Sequence, residues 1–84
     1  MQLGVERRAR IRQRLEPILK EYHPELQFVT VFVDSTREVL GVVVQLIERP
    51  LLLKFRWVDF ISKPDPLLRE EVFSQLKEKL GQTT

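Results

Sequence analysis

The hydrophobic period of this chain changes twice, from three-to-four residues to two near Leu26 and back again after Pro64, and this confines it to one helix before and one helix after a small sheet. In the middle, Val29, Val31 and Val33 alternate with Phe28, Thr30 and Phe32, which predicts a first strand. A polar break of turn-forming residues at 34–38 separates it from a valine-rich second run at 39–48, the pattern of a hairpin. Arg49-Pro50 interrupts the ladder, because proline has no N–H to donate. Alternation then resumes over 51–61, with Leu53, Phe55 and Trp57 on one side and Lys54, Arg56 and Val58 on the other.

The flanking segments have helical spacing. Ile11, Leu15, Ile18, Leu19 and Tyr22 gather on one face of a helix over 5–22, in which Pro17 is expected to produce a kink or a break into two segments. His23-Pro24 ends it, since the residue before proline is pushed out of helical geometry. Pro64-Asp65-Pro66 opens the last helix, with Asp65 as N-cap and Pro66 at the first helical position. Leu68, Val72, Phe73, Leu76 and Leu80 share a face of it, and Gly81 is the expected stop. The predicted class is α+β: helix, three-stranded antiparallel meander, helix, with both helices on one sheet face. One domain spans residues 1–84, with 1–4 and 82–84 frayed.

Both alternating sets of the first two strands are apolar, so a sheet covered on one side by two helices invites cover on the other. A second copy or another protein supplies it, unless the third strand changes position or the N-terminal region wraps over the open face. Size points the same way. A chain of 84 residues buries only ~60–65% of its unfolded surface, and without Cys and with a single His it lacks disulfides and an evident metal site as supports. A homodimer or a protein partner is therefore expected. The absence of Cys fits a reducing, cytoplasmic setting. The longest run free of charge, 39–47, is about half of the ~20 residues a membrane helix needs, so no membrane association is expected.

Charge is the feature that bears on function. Residues 1–14 carry Arg7, Arg8, Arg10, Arg12 and Arg14 against Glu6, net +4, while the remaining nine Lys/Arg face eleven Asp/Glu, net −2. At helical spacing Arg7, Arg10 and Arg14 form one stripe, and Arg8 and Arg12 a second. Such stripes suit phosphates and give salt-sensitive affinity without reading sequence. The competing use is a solvated helix start, or pairing with Glu16, Glu21, Glu70 and Glu71. Lys54 and Arg56 extend the basic set. Phe55 and Trp57 point to the opposite side of the strand and are assigned to the core, whereas Phe60 shares the basic side at the strand end.

Other chemistry is thinly represented. His23 has no Cys or second His near it and is assigned a capping or surface role. Asp34 and Glu48, read as sitting at neighbouring strand ends, resemble a nuclease metal pair but lack a third carboxylate and the accompanying lysine. No nucleophile stands beside a base, and three glycines are too few for a phosphate loop. No enzyme, cofactor or metal is expected. The element order resembles that of double-stranded RNA-binding domains and of the dimerising YbaB-type bacterial nucleoid proteins. The last helix opens with Pro64-Asp65-Pro66-Leu67-Leu68-Arg69-Glu70-Glu71, acidic where the RNA-binding domains carry lysines, so no functional residue is transferred. The resulting expectation is a small non-enzymatic binding module for nucleic acid or another polyanion, or alternatively an accessory subunit docking through an apolar sheet face.

Overall fold

The computed structural model describes residues 4–81, so the predicted fraying lies outside the described residues except at Gly4, the extended N-cap of the first helix. The elements are α1 (Val5–Tyr22), β1 (Leu26–Asp34), β2 (Val39–Leu46), β3 (Arg49–Arg56), α2 (Trp57–Ser62) and α3 (Asp65–Gly81). The strands form an antiparallel sheet in the order β1-β2-β3, and all three helices contribute to one core on one of its faces. The α+β meander expected from the hydrophobic periods is therefore present, with α2 inserted. Among the described residues no helix is long and apolar enough to cross a membrane.

Pro17 does not break α1. It lies on the exposed side, while Ile11, Leu15, Ile18 and Leu19 are buried, so the carbonyl it leaves without a helical donor can turn to water. His23 closes the helix, its N–H donating to the Leu19 carbonyl at 3.0 Å and its Nδ1 accepting from the Glu25 N–H at 3.1 Å. Arg69 donates to Glu21 from α3, which ties the two long helices together and holds the Glu21 carboxyl below its ordinary value.

The third strand ends earlier than alternation predicts. Val39, the first residue of β2, pairs with Arg56, so from Trp57 onward no neighbouring strand remains to supply a ladder. The Trp57 N–H makes one last bond to the Glu38 carbonyl at 2.9 Å, and the chain then coils into α2. Trp57, Phe60 and Ile61 have helical spacing that the strand reading overlooked. Phe60 is consequently buried against Phe55, ring centres 5.6 Å apart and edge to face, rather than placed on a basic strand side. Pro50, by contrast, stays within β3 opposite Gln45, as an edge strand allows. Lys54 has its outward edge groups met: its N–H donates to Gln75 Oε1 at 3.0 Å, and Gln75 Nε2 donates to its carbonyl at 2.7 Å.

Strict alternation in β1 is overturned by a bulge at Val29. Phe28 pairs with Val44 but Thr30 with Val43, so the strand changes phase. Phe28 thereby joins Leu26, Val31 and Val33 on the covered side, where they meet Leu40, Val42, Val44, Leu51, Leu53 and Phe55. Gln27, Thr30, Gln45, Pro50, Lys54 and Arg56 fall on the open side with Phe32, Val39, Val43 and Leu52. The open side is thus mixed, not uniformly apolar. The third strand keeps its place at the edge, and α1 packs on the covered face instead of wrapping over the open one.

Candidate nucleic-acid interface

The N-terminal half of α1 carries the arginine cluster, and burial of Ile11 and Leu15 fixes the helix rotation that aims each guanidinium. The two stripes separate as their spacing predicts. Arg7, Arg10 and Arg14 line a cleft of ≈ 460 Å³ against Trp57, Phe60 and Ile61 of α2, whereas Arg8 and Arg12 line one of ≈ 280 Å³ beside the β1 bulge.

Within these clefts the five arginines do different things. Arg14 is a structural clamp: Nε donates to Asp65 Oδ1 at 2.9 Å, Nη1 to the Phe60 carbonyl and Nη2 to the Lys63 carbonyl. Those carbonyls belong to the C-terminal end of α2, where helices leave acceptors without partners and favour a cation. The same guanidinium lies 5.1 Å from the Phe60 ring centre. Arg12 pairs with Glu16 at 2.7 Å, one of the acidic partners expected from sequence. Arg7 lies 5.8 Å from the Trp57 ring centre. Arg8 and Arg10 are exposed and, among the described residues, have no carboxylate within 4.0 Å.

Lys54 and Arg56 lie on the open sheet face, across the sheet from α1, so the basic residues do not form one field. The two sets approach only at the β3–α2 junction, where Arg56 directly precedes the Trp57 that Arg7 contacts. Two further residues of the open face, Phe32 and Arg37, escape the sequence pattern. They line a groove of ≈ 240 Å³ with Lys54 and Leu52. The only sign in the sequence is Gly41, a lone glycine in a valine-rich strand, which marks a close approach.

Asp34 and Glu48 are not at neighbouring strand ends. Asp34 ends β1 opposite Val39, while Glu48 lies in the β2–β3 turn at the other end of the sheet, because antiparallel pairing places the two turns at opposite ends. Asp34 instead accepts the Thr36 and Arg37 N–H groups of its own turn, at 3.1 and 3.3 Å. Among the described residues no group of three or more His, Cys, Asp or Glu is placed to hold a metal ion. Comparison with known families, with curated proteins and with solved structures finds no match for this chain.

Proposed function

We propose that the protein is a small non-enzymatic binding module that engages nucleic acid or a similar polyanion through the N-terminal half of α1, in a cytoplasmic setting. The observation that carries the reading is the pair Arg8 and Arg10: exposed, on the two stripes, and without a carboxylate neighbour among the described residues. Two cations held on opposite flanks of one helix stay available for phosphates, and contacts of that kind position a ligand without reading bases. Arg7 and the Trp57 ring extend the surface on one side.

The test is a salt titration with mixed-sequence oligonucleotides. Changing Arg8 and Arg10 together to Gln should leave the fold intact, weaken binding equally across sequences, and reduce the slope of log affinity against log salt by about two. Absence of any binding by the unaltered protein at ~50 mM salt overturns the reading, since several phosphate contacts are detectable there. A second reading, docking onto a protein or a second copy through the open sheet face, is favoured by the partly exposed Phe32, Val43 and Leu52.

A further inference from the structure

We infer that the open sheet face binds an unpaired base, stacked on Phe32, with Lys54 and Arg56 on the adjoining phosphates; this makes a single strand the substrate class. The inference rests on the polyanion reading but uses a different surface.

Phe32 is the centre of this site. It stands in the middle row of the open face and is 46% exposed although it belongs to a strand. Its ring tip lies over Gly41 on the neighbouring strand, so close that a methyl group there would stand 2.4 Å from Phe32 Cζ. Only glycine permits this, and the consequence is a ring laid down on the sheet, as a platform. The rest of that row is Lys54, which pairs with Gly41 from the far side. Strands are spaced ~4.8 Å, so Lys54 starts about 10 Å from the Phe32 backbone, within reach of its long side chain. The next row is Asp34, Val39 and Arg56, and Arg37 lines the same groove as Phe32.

Charge selects the occupant. Arg37 and Lys54 line the groove with Phe32, Arg56 stands in the next row of the same face, and Asp34, 4.0 Å from Arg37, is the one carboxylate among the groove's lining residues. Two copies packed face to face would bring this excess of cations together, whereas an anionic ligand would neutralise it. An anion that also carries a flat apolar surface uses both parts of the site, and bases on an aromatic-bearing sheet flanked by basic side chains meet that description. In a duplex the base faces are hidden by stacking, so only an unpaired strand can use the ring.

The experiment measures anisotropy of labelled mixed-sequence single strands and duplexes at ~50 mM salt, with the unaltered protein, Phe32→Ala, Phe32→Tyr and the Arg8→Gln/Arg10→Gln variant. Phe32→Ala should weaken single-strand binding about 5- to 150-fold, the range of one lost base–aromatic stack, and leave duplex binding within about twofold. Phe32→Tyr, which keeps the ring, should bind as the unaltered protein does. Circular dichroism of each variant verifies the fold. If only the arginine variant loses affinity, the polyanion reading stands and the Phe32 site is refuted. If the unaltered protein binds neither form, both fall together. Light scattering that reveals a dimer abolished by Phe32→Ala assigns the face to a second copy and overturns the inference.

Discussion

Replacing Arg14 by Gln should destabilise the protein by about 3 kcal/mol, far more than replacing any other member of the arginine cluster. Arg14 supplies two charge-assisted hydrogen bonds to partly buried carbonyls, Phe60 and Lys63. Bonds of that kind contribute ~1.5–3 kcal/mol when buried, and partial exposure reduces this to roughly 1 each. Its stacking on Phe60 adds ~0.5–1 kcal/mol. The ion pair with Asp65 adds little, because the carboxylate side chain is 79% exposed. A loss of about 3 kcal/mol in a domain of this length lowers the thermal midpoint by on the order of 15 °C. Arg10→Gln is the control, and as an exposed residue it should change stability by less than about 0.5 kcal/mol. Thermal and urea unfolding followed by circular dichroism measure both. Equal midpoints for the two variants would refute the clamp and return Arg14 to the candidate phosphate-binding set.

Three further outcomes follow from other parts of the fold. Phe55→Ala should cost ~3–5 kcal/mol, since that ring is 2% exposed, while Trp57→Ala should cost less because its ring is half-buried at the start of α2; comparing urea midpoints of the two checks the early end of β3. Ile47→Gly should stabilise the protein by about 0.5–1 kcal/mol, seen as a higher urea midpoint at unchanged slope, because Ile47 holds φ 59 in an exposed turn and a β-branched residue is strained there. Glu21, whose carboxyl is lowered by its hydrogen bond from Arg69, contributes stability that is present above its unfolded value and lost as pH falls through the folded one. Glu21→Gln should therefore be less stable than the unaltered protein at neutral pH and equal to it in acid, as thermal midpoints across pH would record.

The basic cluster illustrates why a site is only partly legible in a sequence. Helical spacing separates Arg7, Arg10 and Arg14 from Arg8 and Arg12, and the structure keeps that division in two clefts. Spacing is local, so it survives folding. Arg12 meets Glu16 one turn further along its own helix, whereas Arg14 is taken up by two carbonyls and a carboxylate of the α2–α3 region about fifty residues away. Phe32 remained hidden for a similar reason: the Val29 bulge parts it from Phe28, which turns to the core, and its posture comes from Gly41 across the ladder.

By itself the amino-acid sequence determined the two long helices with their buried faces and the three-stranded meander, though not α2, because the period of apolar residues dictates which conformation can bury them. It also placed the capping histidine and the turn at Asp34. Only the tertiary structure decided where β3 ends, since Trp57 coils once β2 has no residue left to pair with it, although its own neighbourhood reads equally as strand. The same holds for the phase of β1 and for the division of the arginines between clamp and exposed surface. Each depends on partners distant in sequence, and local pattern carries no information about which distant group will be there to satisfy a backbone bond or a charge.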